Sequence, residues 1–413
     1  MLPKTPAKGM RDFLPKEFAL RQQILATIQK TYESYGFTRI ETPAVENIEL
    51  LTSKQGGDNE KLIFKILKRG EKLENADESN LCDLGLRYDL TVPLARFYSN
   101  NIGQLPSVFK AIQMDNVGRA DRPQRGRFRQ FVQCDIDVIG EESNLAEIEL
   151  ISATMQALSN LGFKDVTVRI SDRRLLNALV EKCGFSDEQK PLIFIALDKL
   201  DKIGVNGVLE EVEGIASGKA VEFINMINRI TSSNNPFKKC VEELGKFLPV
   251  EVKRNLEEIL AVTNRTLLNG KVEFDVTLVR GMGYYTGTIY EVSVDGLASS
   301  VAGGGRYDKM IGRITGNDVP ACGFSIGFER IALLMQERGV QSSANKGVAV
   351  LIDKNEDAKN LVDVLEVCRQ MRKSSNVTIL KKIKNFGYQL KQLREQGYEK
   401  IYEYKNGALN QID

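Results

Sequence analysis

Arg119-Ala-Asp-Arg-Pro-Gln-Arg-Gly-Arg-Phe-Arg-Gln-Phe131 is the stretch on which the reading of this chain turns. Arg119, Arg122, Arg125, Arg127 and Arg129 crowd into eleven residues, and no lysine accompanies them. Proline presets φ and glycine permits positive φ, so Pro123–Gly126 reads as a turn. Apolar residues flank it on both sides, which predicts a hairpin of two strands. A basic run alone is usually a solvated loop. An arginine-only run offers more, because the planar guanidinium grips phosphate bidentately where lysine is a point charge. Phe131 adds an apolar platform beside those forks, and phosphate clamps with an aromatic face suit a nucleotide.

The strand after the hairpin, Phe131–Ile139, alternates so that Gln133, Asp135 and Asp137 share one face. Apolar spacing predicts a helix over 17–35, closed by Gly36, then an extended segment Arg39–Val45 interrupted by Pro43. A helix at Leu145–Leu161 and a strand at Val166–Ile170 follow. Helical periodicity dominates 171–265, with breaks expected at Gly204–Gly207, Gly214 and Ser232–Pro236. Strand character returns at Glu273–Leu278 and Thr288–Val294. The triplet Gly303–Gly305 permits close backbone approach. Beyond a polar linker at 341–347, strand, helix, strand, helix and strand succeed one another at 348–352, 358–372, 377–381, 386–396 and 400–404. That order predicts a small α/β domain with parallel crossovers.

The 413 residues are too many for one ordinary domain, and 42% hydrophobic with 27% charged residues is the balance of a globular chain. The net charge of +2 confines any nucleic-acid contact to local basic patches. Six scattered cysteines without a C-x-x-C pair fit a reducing cytoplasm and argue against zinc. No metal site and no membrane span are expected. The chain has neither histidine nor tryptophan. That removes the usual base near neutral pH and any Ser-His or Cys-His nucleophile pair. Catalysis here must rest on positioning and charge stabilisation.

The same residues carry a resemblance. Arg119, Asp121 and Phe131 resemble motif 2 of the class II aminoacyl-tRNA synthetases. Gly323-Phe-Ser-Ile-Gly-Phe-Glu-Arg330 resembles motif 3, and Arg39-Ile-Glu-Thr-Pro43 resembles motif 1, a dimer-forming segment. Val279-Arg-Gly-Met-Gly-Tyr-Tyr-Thr-Gly-Thr-Ile-Tyr-Glu291, Ala302-Gly-Gly-Gly-Arg-Tyr-Asp308 and Gly9-Met-Arg-Asp-Phe-Leu-Pro15 resemble signatures of the histidyl-tRNA synthetase family. The implied fold is α+β, a class II antiparallel sheet flanked by helices. The catalytic core would fall in two parts, 1–170 and 266–338, separated by a helical insertion at 171–265. A shortened anticodon-binding-like α/β domain would occupy 346–413, lacking the family's last strand and helix.

The resemblance implies a cytoplasmic ligase, a homodimer using ATP with Mg2+ to join histidine to histidine tRNA. Arg119 would bridge the amino-acid carboxylate and the α-phosphate, and Arg280 would act at the α-phosphate in place of a metal. Arg330 and Arg127 would hold the γ-phosphate, Phe131 would stack on adenine, and Asp121 would read its amino group. Asp89, Thr91 and Gln133 would take the substrate ammonium, and Asp137 with Tyr284 and Tyr285 the imidazole. Arg122 and Gln124 at the hairpin tip resemble the loop that reads the tRNA acceptor end. Gly118 departs from the family's large residue, an expected cavity costing roughly 3–5 kcal/mol if buried; Val132 stands where His or Tyr is common. Two other readings remain open at this point. One is a non-catalytic, histidine-binding regulatory paralogue of ATP phosphoribosyltransferase, and the other a tRNA-binding regulator without catalysis.

Overall fold

The structure, a computed structural model, describes residues 2–52, 57–77, 80–280, 284–294, 300–340, 347–355, 357–405 and 407–412. It forms two compact units, one of residues 1–13 with 21–339 and one of residues 14–20 with 340–413. The expected linker at 341–347 falls almost wholly outside the described residues, as do Gly281, Met282 and Gly283 of the longer signature.

The larger unit is built on an eight-stranded sheet. It takes β1 (Thr38–Arg39), β5 (Phe109–Gly118), β6 (Gln130–Ile139), β7 (Val166–Asp172), β8 (Lys271–Phe274), β9 (Thr288–Val294), β10 (Ala302–Arg306) and β11 (Ala321–Gly327). Their spatial order is β1-β5-β6-β11-β10-β9-β7-β8. The inner pairings are antiparallel, and only the outermost pairs, β1 with β5 and β7 with β8, are parallel. A second, three-stranded sheet joins β2 (Val45–Asn47), β4 (Cys82–Leu86) and β3 (Lys65–Leu67).

Alternation divides the large sheet into two chemical faces. Cys134, Ile136, Val138, Phe324, Ile326, Tyr290 and Val292 are buried on one. The helix Leu145–Asn160 packs over β6 and β11. Arg306, the last residue of β10, grips Glu147 of that helix through two hydrogen bonds of 2.8 and 2.7 Å. Removing Arg306 would leave the buried Glu147 charge uncompensated, so the pair fixes the helix on the sheet. The other face carries Gln133, Asp135, Asp137, Gly303, Gly305, Gly323 and Ser325 and stays open as a pocket wall.

The hairpin forms as its sequence indicates. Gln124 and Arg127 bridge at its tip through backbone bonds of 3.1 and 2.9 Å, and Gly126 adopts φ 70°. The expected cavity at Gly118 is absent. A Cβ there would lie 3.3 Å from Phe64 Cδ2 and 3.4 Å from Leu86 Cδ1, so those side chains already fill the space. The strand expected to run to Leu278 ends at Phe274, because Asp275 accepts from the Thr277 N–H and hydroxyl and turns the chain.

Between β7 and β8 the chain runs through six helices, from Arg173–Lys182 to Val250–Thr266. Gly207 and Gly214 do not break the helix Leu200–Ile215; only Gly204, with φ 68°, kinks it. Pro236 opens a new helix whose Asn235 side chain caps the Lys238 N–H.

In the smaller unit β12 (Val348–Ile352) lies between β13 (Val377–Lys381) and β14 (Lys400–Lys405), parallel to both. A fourth strand, β15 (Ala408–Ile412), runs antiparallel to β14. A final strand is therefore present where the sequence expects none. Its five residues, Ala-Leu-Asn-Gln-Ile, do not alternate apolar with polar and so carry almost no strand signal of their own. Lys382 is committed to Asp353 at 2.8 Å and to Glu403.

Gly304 tests how tightly this sheet is drawn. A Cβ there would sit 2.0 Å from the Gly323 carbonyl oxygen and 2.8 Å from the Tyr290 ring. Gly304→Ala should cost about 1–3 kcal/mol by overpacking, read as a lowered midpoint in denaturant unfolding. An unchanged midpoint would mean that the strands separate freely there.

Candidate active site

The open face of the sheet, the hairpin and the first turns of two helices enclose one pocket. Arg119, Asp121, Arg127 and Phe131 reach it from the hairpin and Gln133 and Asp137 from β6. Asp89 and Thr91 enter at the start of the helix Thr91–Asn101, and Arg280, Tyr284, Tyr285 and Arg330 complete the set. Arg122 and Gln124 do not join it. They are exposed at the hairpin tip, outside the cavity.

At one end Arg127, Arg280 and Arg330 crowd close enough for repulsion, while Arg119 acts on Asp89 and Asp135. The Arg119 Nε–H donates to the Tyr88 carbonyl at 2.7 Å, and its guanidinium lies 5.2 Å from the Phe131 ring centre. Arg280 donates to Glu291 at 3.0 Å. Arg330 sits in the first turn of the helix Phe328–Glu337 and donates to the Ser300 carbonyl. Burial lowers the pKa of Arg330, and repulsion from Arg127 and Arg280 lowers it further. Cations held together in a partly desolvated site favour an anion between them.

The anions gather at the other end. Asp89, Asp135 and Asp137 are all buried. Asp89 Oδ1 accepts from the Val92 N–H at 3.1 Å, while its Oδ2 is buried without a partner. Burial pushes the Asp89 carboxyl up to about 6. Asp137 is pushed up to about 7, chiefly by burial, against the pull of the Tyr307 hydroxyl that donates to it at 2.6 Å. Asp135 is raised as well, by burial and then by Asp137. An unpartnered buried carboxylate oxygen in a cavity is costly unless a donor arrives from outside. This end is built for a cation.

Tyr284 and Tyr285 stand between, with ring centres 4.6 Å apart. Tyr284 also packs in a core cluster with Tyr98, Leu94 and Met310, so it is part wall and part foundation.

Sequence reasoning missed several residues here. Tyr307, which holds Asp137, lies in a quoted motif, but its partner is 170 residues away. Asp135 and Ser325 line the pocket without having been assigned a part. Glu329 receives both arms of Arg21, at 2.6 and 2.8 Å, and the Val132 N–H at 3.2 Å. Its signal was its place beside Arg330. At Val132 the backbone makes the contact, whatever the side chain. Among the described residues no group of His, Cys, Asp or Glu could hold a metal ion, and no helix is long and apolar enough to cross a membrane.

An antiparallel sheet carrying an arginine hairpin on one side and a strand-to-helix arginine on the other is the layout of a class II aminoacyl-tRNA synthetase. The histidyl-tRNA synthetase family profile matches residues 9–331. The chain is 46% identical over 363 residues to the histidine–tRNA ligase of Leifsonia xyli subsp. xyli, covering 85% of this chain and 84% of that one. It is 39% identical over 362 residues to the histidine–tRNA ligase of Aeropyrum pernix, covering 83% and 77%. The crystal structure of histidyl-tRNA synthetase from Nostoc sp. PCC 7120 superposes with a TM-score of 0.79 at 26% identity, over 100% of this chain and 97% of that one. The chain belongs to the histidyl-tRNA synthetase family.

The raised acid at Asp137 fixes the sign of a pH effect. Its native pKa of about 7 exceeds the ordinary 3.8. Between those values the native state binds more protons than the unfolded one, so stability falls as pH rises. The stability advantage of wild type over Asp137→Asn should therefore shrink from about pH 4 to about pH 7 in the free protein. Thermal unfolding of both proteins across that range reads it directly, and a constant difference would refute a buried, proton-bearing Asp137.

Proposed function

We propose that this protein is a histidine–tRNA ligase, activating histidine with ATP and passing it to the 3′ end of histidine tRNA. The observation that carries the reading is the charge pattern of the pocket: Arg127, Arg280 and Arg330 at one end, Asp89, Asp135 and Asp137 buried at the other, and Arg119 beside Asp89 and Asp135. A polyphosphate fits the first end and a cationic amino acid the second. The relatives bear the ligase's name, and Arg119, Arg280 and Arg330, the arginines an ATP-activating enzyme needs and a histidine-binding regulator does not, face the pocket. The regulatory reading is not favoured.

In this reading the histidine ammonium takes the free oxygen of Asp89, beside Thr91 and Gln133. Asp137, steadied by Tyr307, and Tyr285 address the two imidazole nitrogens. Tyr284 backs that wall. Phe131 stacks on adenine and Asp121 accepts from its amino group. Arg127 and Arg330 hold the outer phosphates. ATP arrives with Mg2+ bound to its own phosphate oxygens, so the ion travels with the substrate.

The histidine carboxylate oxygen attacks the α-phosphorus. A carboxyl–phosphorus bond forms, the bond from that phosphorus to pyrophosphate breaks, and pyrophosphate leaves with the electron pair. The nucleophile is already ionised, so no base is required. Arg119 and Arg280 neutralise the charge that grows on the α-phosphate oxygens. A terminal ribose hydroxyl of the tRNA then attacks the activated carbonyl; the bond from that carbon to the phosphate oxygen breaks, AMP leaves with the electron pair, and the hydroxyl proton passes to a phosphate oxygen of the departing AMP.

Arg280→Ala should abolish histidine-dependent ATP–pyrophosphate exchange while histidine binding is nearly unchanged, because its contact matters mainly in the transition state. Exchange at the wild-type rate would refute the assignment. A protein that binds histidine but exchanges no pyrophosphate would instead be a regulator.

Recognition of tRNA is assigned to the hairpin tip. The exposed Arg122 and Gln124 have the geometry to address base edges. Replacing either should relax selectivity for the extra 5′ guanosine of histidine tRNA, measured by aminoacylation of matched tRNAs with and without it. If wild type charges both equally and an anticodon change abolishes charging, recognition lies in the smaller unit.

The protein is further proposed to work in the cytoplasm as a homodimer through the segment around Arg39–Pro43. β1 is an edge strand of the large sheet and both its residues are exposed. An edge strand followed within a few residues by Pro43 suits pairing across a two-fold axis. A monomer in sedimentation at micromolar concentration would count against it.

A further inference from the structure

We propose that Glu291 is a positioning residue for Arg280, and that Arg169 anchors it. The proposal rests on the reading of Arg280 as the cation at the α-phosphate. Arg280 has few restraints of its own. It follows the irregular stretch after β8, and a long arginine costs entropy to hold still. Its Nη1–H donates to Glu291 Oε2 at 3.0 Å. Glu291 Oε1 accepts from Arg169 Nη2 at 2.6 Å, so one carboxylate bridges two guanidinium groups. Arg169 Nη1 in turn reaches Asp275 Oδ2 at 3.2 Å, and Asp275 is fixed by Thr277 at 2.8 and 2.6 Å.

The sheet register places each member of this chain. Glu291 on β9 lies opposite Arg169 on β7 and opposite Gly303 on β10. Gly303 is the second restraint. A Cβ built there would lie 1.9 Å from Arg280 Nη1 and 2.5 Å from its Cζ. The guanidinium thus lies in the side-chain place of a glycine, with a carboxylate holding it from the neighbouring strand. Neither Glu291 nor Arg169 lines the pocket, whereas Arg280 and Gly303 do. Glu291 therefore acts through Arg280 and not on the substrate.

An ordinary structural ion pair between β7 and β9 would need only Arg169 and Glu291. The third partner, and the glycine that makes room for it, mark the difference. A carboxylate behind a catalytic cation fixes its fork in the plane that meets phosphate, and misplacement by about 1 Å can cost roughly 100-fold in rate.

The test is ATP–pyrophosphate exchange with the full-length enzyme. Glu291→Gln should lower kcat by about 100-fold with histidine affinity and melting temperature close to wild type. Glu291→Asp should recover part of that loss. The KM for histidine should stay near wild type in Glu291→Gln, because its effect passes through Arg280 at the α-phosphate. Wild-type kcat in Glu291→Gln overturns the proposal, and so does a loss that appears as a raised KM for histidine with kcat unchanged. If Glu291→Gln fails to fold, Arg169→Lys decides: it leaves the carboxylate but removes the anchoring fork, and an unchanged kcat overturns the anchored arrangement. Wild-type exchange by Arg280→Ala alone would overturn the underlying reading as well, which separates that failure from a failure at Glu291.

Discussion

The pairing of Gly303 with Ser325 on one side and with Glu291 on the other holds a row of polar residues across the sheet. Ser325 pairs onward with Asp135, and Glu291 with Arg169. The next row on the same face joins Asp137, Gly323 and Gly305. Because side chains alternate with period two, a slip of one residue would turn Asp137 toward the helix side and Ile136 into the pocket. The apolar face forbids that slip. Ile136, Phe324 and Tyr290 are buried there, and exposing them would forfeit about 1.5–3 kcal/mol each. Core packing therefore sets the register, and the register aims the site.

Glycine does a second job in those rows. A Cβ at Gly323 would lie 2.0 Å from Asp137 Oδ1, just as one at Gly303 would collide with Arg280. Functional side chains from neighbouring elements lie over the bare strand, so charge reaches the centre of the sheet without thickening it. The cost is electrostatic. Arginines repel one another at one end, and acids are held partly protonated at the other. Neither arrangement stabilises the free protein. Both make sense as a site whose missing countercharges come with the ligand, where local rules of good folding are expected to fail.

Much of this was legible in the sequence, for physical reasons. The hairpin announced itself because turn chemistry is local, and Gln133, Asp135 and Asp137 fell on one face because alternation is local. The C-terminal strands and helices followed from apolar runs of ordinary length. What could not be read was set by distance. The Tyr307–Asp137 and Arg21–Glu329 contacts join residues far apart in the chain, and no spacing rule reaches across them. The supposed cavity at Gly118 failed for the same reason. Phe64, just before β3, and Leu86, the last residue of β4, fill it. β15 was invisible because its pairing with β14 makes it a strand, not its composition.

The lack of histidine now finds a place in the argument. In the proposed reaction the nucleophile is the substrate's own carboxylate, ionised well below neutrality, and the leaving pyrophosphate needs cations more than a proton. Arginine does not lose its charge in any working range of pH. Burial raises three carboxyls of the pocket toward neutrality: Asp89, to about 6, Asp137, to about 7, and Asp135 beside them. In the proposed reaction these acids would face the amino acid, and ionising them would complete the partner for its ammonium and imidazole, with Arg119 linking Asp89 and Asp135 to the α-phosphate. Proton equilibria at the acids would then set how tightly the amino acid is held, and the bond-making step would rest on arginines whose geometry the sheet maintains.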